Sequence, residues 1–173
     1  MKIKLDENLP IHLRAAASIA LLCVGLVCLL AACHNDRRES FYPSLAEAKK
    51  DGAIDRGWIP YFLPESSRGI HEVHDVSPST TWCAFEFAPS DSQGLRKSLQ
   101  SVDAQAPTVR HVPSPGKSWW PAVLEGNVDV EKIHKAGFEI YVLTAPEASV
   151  TKEILLFSIN WTKGYGYFYR TSA

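Results

Sequence analysis

The feature that most constrains this chain of 173 residues is an uncharged apolar stretch near its N-terminus, at residues 15–33. Arg14 precedes the stretch, and the small residues Ala31 and Ala32 end it just before Cys33. A basic start, an apolar middle and a small-residue end are the three parts of a secretory signal peptide. We therefore expect residues 1–32 to direct export and to be removed.

The end of this stretch also predicts a lipid anchor. The four residues Leu30-Ala31-Ala32-Cys33 resemble a bacterial lipobox, in which cleavage occurs before a cysteine that receives lipid. Lipidation of Cys33 would hold the mature chain at a membrane, because each buried CH₂ contributes about 0.8 kcal/mol. Residues 33–40 are polar and predict a short tether. An uncleaved membrane anchor is the alternative, although the stretch is slightly shorter than the roughly 20 apolar residues that a spanning helix needs.

The residue after the cysteine indicates where the anchored protein resides. In lipoproteins of Gram-negative bacteria, an aspartate at that position favours retention in the inner membrane, and this chain has His34 instead. We therefore expect a lipid-anchored protein of the bacterial cell envelope, located at the outer membrane.

Charge and cysteine content limit the possible partners and the possible covalent bonds. The whole chain has 18 basic and 19 acidic residues, and without residues 1–32 these numbers become 15 and 17. A net charge this close to zero provides no basic surface for nucleic acid, which excludes it as a partner. No disulfide is expected, because Cys23 and Cys28 leave with the signal peptide and Cys33 carries lipid. The remaining Cys83 is expected to be a small buried hydrophobe.

Turn residues and apolar periodicity predict one globular α+β domain at residues 41–173. Ser44 and Glu47 form a capping box that starts a short helix, and Gly52 ends it. A second helix is predicted at residues 92–101, where leucines recur at helical spacing. Apolar runs separated by turns predict strands at residues 70–77, 80–88, 138–143, 153–161 and 165–170. We expect an antiparallel sheet of about five strands with two or three short helices packed on one face.

One long segment is similar to a known family. The segment YPSLAEAKKDGAIDRGWIPYFLPESSRGIHEVHD and the pattern Trp82-x-x-Phe85-x-Phe87 that follows it resemble a family of small bacterial lipoproteins, the YbbD-like family. The resemblance extends through the Trp-Trp-Pro sequence at residues 119–121 to the C-terminal strands. It implies export and these domain boundaries, and it brings no established activity that could be transferred to this chain.

The densest group of ionisable residues lies in one predicted strand and consists of His71, Glu72, His74 and Asp75. On a strand, Glu72 and His74 lie on one face, whereas His71 and Asp75 lie on the other. The two histidines are therefore separated and predict no zinc site. Because buried charges persist only when they are paired, we expect Glu72 and His74 to join a polar network. Its cationic member is expected to be Arg56 or Arg68, and a binding site that uses the same side chains is the alternative.

The tryptophans are candidates both for the core and for surface contact. Aromatic side chains dominate small cores, whereas exposed tryptophan anchors protein partners or stacks on sugar rings. Trp119 and Trp120 stand beside a proline-rich loop, and Trp58 lies in a segment rich in glycine and proline. Both interpretations stay open for these three residues.

The chain lacks a complete catalytic motif. Residues 116–118 lack the earlier glycine of a phosphate-binding loop, and residues 164–166 are not followed by the third glycine of a dinucleotide fingerprint. A Gly-x-Ser-x-Gly nucleophile elbow does not occur. We therefore predict no catalytic residue, no metal and no cofactor.

Together these features predict an envelope lipoprotein without enzymatic activity, whose globular domain binds a protein or glycan partner, as an immunity or inhibitor protein does. The alternative is a small periplasmic hydrolase that uses Glu72, His74 and Asp75. An enzyme needs these side chains to converge in a cavity, whereas a binding protein needs an exposed patch.

Overall fold

Nine β-strands and three α-helices form the part of the chain that the computed structural model describes, which is residues 36–77, 79–101, 110–143 and 153–172. The strands are β1 (Arg37–Ser44), β2 (Arg68–Asp75), β3 (Thr80–Glu86), β4 (Leu99–Ser101), β5 (His111–Val112), β6 (Gly126–Asn127), β7 (Glu139–Leu143), β8 (Glu153–Asn160) and β9 (Tyr165–Ser172). The helices are α1 (Leu45–Asp51), α2 (Gln93–Ser98) and α3 (Val130–Lys135), and short 3₁₀-helices cover Pro89–Asp91 and Ala122–Leu124. Within these ranges, no helix is both long and apolar enough to cross a bilayer. The expected signal peptide and Cys33 lie outside the described residues.

Seven strands form one antiparallel sheet in the order β1-β2-β3-β9-β8-β7-β4, and β5 pairs separately with β6. The predicted α+β class and antiparallel sheet are therefore confirmed, as are the β2–β3 hairpin and the strands β7, β8 and β9. The sheet is larger than the five strands predicted, because β1 and β4 add one strand at each edge.

Both edge strands correct an expectation. Arg37–Ser40, which the sequence assigns to the tether, form the first half of β1. An edge strand leaves one side open to water, so a polar sequence is compatible with it. Leu99, predicted at the end of a helix, has extended dihedral angles and pairs with Leu143 of β7. Hydrogen bonds to β7 satisfy the backbone N–H and C=O groups that would otherwise have bonded within a further helical turn.

Apolar packing covers both faces of the sheet, which corrects the expectation that the helices lie on one face. Side chains alternate along β3, so that Cys83 points to one face and Trp82 to the other. We call these the Cys83 face and the Trp82 face. On the Cys83 face, α1 and α2 contribute Leu45 and Leu95 to the core, and on the Trp82 face α3 contributes Ile133. Six consecutive residues of β3 are buried, and such a strand requires cover on both sides.

Helix α1 and the loop after it cover the Cys83 face and position the candidate site. The Ser44 side chain accepts a hydrogen bond from the backbone amide of Glu47, and Gly52 ends the helix in the left-handed conformation, both as predicted. The loop that follows, here called the 52–67 loop, buries Ala53 and Ile59 against the sheet. This loop is therefore an ordered part of the core rather than a linker.

Candidate functional site

Glu72 and His74 form a buried polar pair on the Cys83 face, as alternation along β2 predicts. Nδ1 of His74 lies 2.9 Å from Oε1 of Glu72. Glu72 is fully buried, and His74 is 4% exposed. The second carboxyl oxygen of Glu72, Oε2, has no hydrogen-bond partner among the described residues. The pair is thus closed off from solvent.

Burial makes both members of this pair neutral at pH 7. Removal from water disfavours the carboxylate and raises the pKa of Glu72 to about 8, against the opposing effect of the positive charges of Arg170 and Arg56. Burial also disfavours the imidazolium, and together with Arg56 it lowers the pKa of His74. The contact is therefore a hydrogen bond between a carboxylic acid and a neutral imidazole rather than an ion pair.

The Trp58 indole lies against this pair. Its ring centroid is 4.0 Å from that of His74, and the two rings are inclined by 21°. The guanidinium carbon of Arg56 lies 4.1 Å from the Trp58 ring centroid. Arg56 is fixed in turn by Asp51, whose Oδ2 lies 2.5 Å from Nη2. The half-buried Trp58 therefore contacts partners within the domain, and it connects Arg56 to the polar pair.

Two residues of the predicted cluster lie elsewhere. Asp75 is on the Trp82 face, where its carboxylate pairs with Arg37 at 2.8 Å, so it does not converge with the polar pair. Arg68 pairs instead with Glu86 at 3.2 Å, near the surface. Of the two arginines expected as the cationic member, Arg56 or Arg68, Arg68 therefore lies outside the network, and the reason is a register shift between Arg68 and His71 in β2.

Sequence reasoning missed Arg170 of β9, the cation that acts most strongly on Glu72. The strand register places Arg170 opposite Thr81, which is itself opposite His74. Nη2 of Arg170 donates a hydrogen bond to Oγ1 of Thr81 at 3.2 Å, whereas the buried Nε has no acceptor among the described residues. Alternation along β9 indicates the face on which Arg170 lies, but it does not indicate which strand is its neighbour.

An open cavity of about 180 Å³ lies beside Arg170 on the Cys83 face. Its apolar walls include Ile59 and Phe62 from the 52–67 loop and Phe157 from β8. Gly57 also lines it, and a Cβ atom on Gly57 would lie 3.1 Å from Nη1 of Arg170. This end of the guanidinium therefore lies close to the loop that borders the cavity.

A second candidate surface lies on the Trp82 face, along the edge strand β1. Phe41 is 56% exposed, and its ring centroid lies 4.8 Å from that of His71. The His71 ring stacks in turn on the half-buried Trp119, at 5.5 Å and 19°. We call Phe41, His71 and Trp119 the aromatic strip. Trp120, by contrast, is only 5% exposed and belongs to the core of this face.

The polar pair has little access to a substrate. Its two side chains are buried against Trp58, and Asp75 lies on the opposite face. Within the described residues, no three His, Cys, Asp or Glu side chains lie close enough together to hold a metal ion. Two other features of the described residues are more accessible, namely the aromatic strip on the Trp82 face and the cavity beside Arg170 on the Cys83 face.

Comparison with known proteins identifies the N-terminal part of the domain. Residues 36–86 match the family model of the YbbD head domain. This range contains β1, α1, β2 and β3, with Phe41, Trp58 and the polar pair. No curated protein and no solved structure matches the chain. Beyond Glu86 the resemblance seen in the sequence stays a prediction, whereas residues 36–86 are similar to the YbbD head domain.

Proposed function

We propose that this protein is a bacterial envelope lipoprotein whose domain binds another protein through the aromatic strip, without enzymatic activity of its own. The YbbD head domain at residues 36–86 supports an envelope-type protein. The predicted signal peptide and the lipidation of Cys33 would carry the domain out of the cytoplasm and anchor it at the outer membrane. The domain would then function by binding other envelope components through its exposed surface.

The observation that best supports partner binding is the exposure of Phe41. A phenylalanine that is 56% exposed leaves apolar area in contact with water, and burial of such area gains roughly 25 cal/mol per Å². The ring rests on His71, which is stacked on Trp119, so the side chain has less conformational entropy to lose on binding. Supported aromatic side chains of this kind are typical hot spots of protein interfaces.

The surroundings of the strip favour a protein over a glycan. In the described part of the chain, β1 is an edge of the sheet, and an edge strand offers backbone groups to a strand from a partner. The charged side chains on the same face of β1 already form ion pairs, namely Arg37 with Asp75 and Glu39 with Lys117. A sugar needs hydrogen-bonding groups that are free to reach it, whereas a protein partner can use the apolar ring and the strand edge.

The burial of Glu72 and His74 supports binding rather than the alternative hydrolase function. In a hydrolase these side chains and Asp75 would face one cavity that admits the substrate. Here Glu72 and His74 are packed against Trp58, and Asp75 is engaged by Arg37 on the opposite face. We therefore assign the polar pair a structural role.

Site-specific photo-crosslinking in intact cells tests this proposal. A photoreactive phenylalanine analogue replaces Phe41 in the full-length protein, and in a matched control it replaces Tyr165 of β9, which is 39% exposed. We expect a discrete crosslinked protein from position 41 and not from position 165. The substitution Trp119→Ala should reduce the yield, because the ring beneath Phe41 then loses its support. Equal yields at both positions, or crosslinks to glycan alone, would contradict a protein partner at the strip.

The lipid anchor is tested separately by mass spectrometry of the purified protein. We expect an N-terminal Cys33 that carries acyl chains, and we expect Cys33→Ser to retain residues 1–32. An unmodified full-length polypeptide in the cytosol would contradict the envelope location.

A further inference from the structure

The cavity beside Arg170 combines apolar walls with one cationic group. Ile59, Phe62 and Phe157 contribute to the walls, and the volume is about 180 Å³. Arg170 is the only charged side chain among the described residues that line it. Mostly apolar walls with one well-placed charged group are typical of binding sites for small organic molecules.

The positive charge of Arg170 has no ion-pair partner in the described part of the chain. Its Nη2 donates to the Thr81 hydroxyl, and its buried Nε has no acceptor. The carboxyl group of Glu72 does not compensate the charge at pH 7, because burial raises the pKa of Glu72 to about 8. The cavity is therefore electropositive, and a guanidinium forms charge-assisted hydrogen bonds with carboxylates in preference to neutral acceptors.

We propose that this cavity binds a small monocarboxylate with an apolar body of about six carbon atoms, and that Arg170 holds its carboxylate. The size follows from the volume, since an apolar cavity of about 150 Å³ takes up one benzene molecule. The cavity of about 180 Å³ therefore accommodates a ring or a short alkyl chain next to the charged group. This site lies on the Cys83 face, whereas the aromatic strip lies on the Trp82 face, so the two proposals stand independently.

A series of three ligands tests the charge and the apolar body. The full chain in phosphatidylcholine nanodiscs is titrated with hexanoate, 1-hexanol and hexylammonium, and calorimetry records the binding after subtraction of the signal from empty nanodiscs. We expect saturable binding of hexanoate, at least about tenfold weaker binding of 1-hexanol because it lacks the charge-assisted hydrogen bond, and no saturable binding of hexylammonium. An alcohol that binds within about tenfold of hexanoate, saturable binding of hexylammonium, or no saturable binding of hexanoate would overturn the proposal.

A pair of arginine variants shows where the ligand binds. Arg170→Met removes the guanidinium from the cavity and keeps an apolar chain, whereas Arg68→Met removes an exposed guanidinium that does not line it. We expect hexanoate affinity to fall at least about tenfold in the first variant and to stay unchanged in the second. A smaller loss in Arg170→Met, or an equal loss in both variants, would overturn the proposal. Should Arg170→Met fail to fold, the ligand series on the native chain decides the question alone.

Discussion

Raising the pH from about 6.5 to about 8.5 is expected to lower the free energy of unfolding by about 2 kcal/mol, because Glu72 has to ionise inside the folded domain. Burial raises the pKa of Glu72 from its ordinary value of 4.5 to about 8. Between these two values the folded protein holds a proton that the unfolded chain has released. Stability therefore falls as the pH rises toward 8, by about 1.4 kcal/mol for each pH unit, and levels off above it.

The pH window is chosen so that Glu72 dominates the change. Burial lowers the pKa of His74 from its ordinary value of 6.5, so His74 reduces stability only as the pH falls below about 6.5. Burial also raises the pKa of Cys83 well above 9.0, and this thiol begins to affect stability only above the window. From pH 6.5 to the Glu72 pKa of about 8, the pH rises by about 1.5 units. At about 1.4 kcal/mol for each pH unit, the free energy of unfolding falls by about 2 kcal/mol.

Urea unfolding followed by tryptophan fluorescence at several pH values measures this effect. Glu72→Gln is expected to be less stable than the native chain at about pH 6.5, by about 1 kcal/mol, because the amide adds a buried donor without a partner. Its stability should not change up to about pH 8.5, since glutamine does not titrate. Glu86→Gln, which alters an exposed carboxylate on β3, should keep the native slope. A native protein whose stability is constant or rises over this window would refute the reasoning, as would a native slope in Glu72→Gln.

Two further substitutions test the packing. Gly164→Ala would place a Cβ atom 2.0 Å from the carbonyl oxygen of Phe87 at a φ of +71°, and we expect a loss of more than about 3 kcal/mol in chemical denaturation. Gly69→Ala has a φ of +55°, and among the described residues no atom other than those of its chain neighbours lies within 4 Å of the new Cβ. It should lose only about 1 kcal/mol from backbone strain, and equal losses in the two variants would contradict the clash. Trp58→Leu removes the ring stacked on His74. Because water then gains access to the imidazole, we expect the pKa of His74 to rise toward its ordinary value. An NMR titration that finds this pKa unchanged would contradict the expectation.

Features encoded within a few residues could be predicted from the sequence. The capping box of Ser44 and Glu47 and the terminating Gly52 define α1 locally, since each bond joins positions close in the chain. Strand alternation likewise places Glu72 and His74 on one face without knowledge of the neighbouring strands.

Features that depend on distant pairing could not be predicted. Arg170 lies next to the polar pair because β9 runs beside β3, and its hydrogen bond to Thr81 joins positions 89 apart. The exposed Phe41 escaped notice because β1 begins in a polar segment whose extended conformation depends on pairing with β2. Leu99 has a helical pattern, yet pairing with β7 decides its conformation.

The central position of β9 determines when the domain can finish folding. It is the last strand of the described chain, yet it lies between β3 and β8 and pairs with both. While the polypeptide is still emerging from a ribosome or a translocation channel, these two strands each have an unpaired side, and Trp82 lacks its packing against Tyr169. Unpaired edges with apolar side chains are prone to aggregate. Such an order of assembly is compatible with the proposed export, in which an unfolded chain would cross the membrane before its last strand completes the sheet.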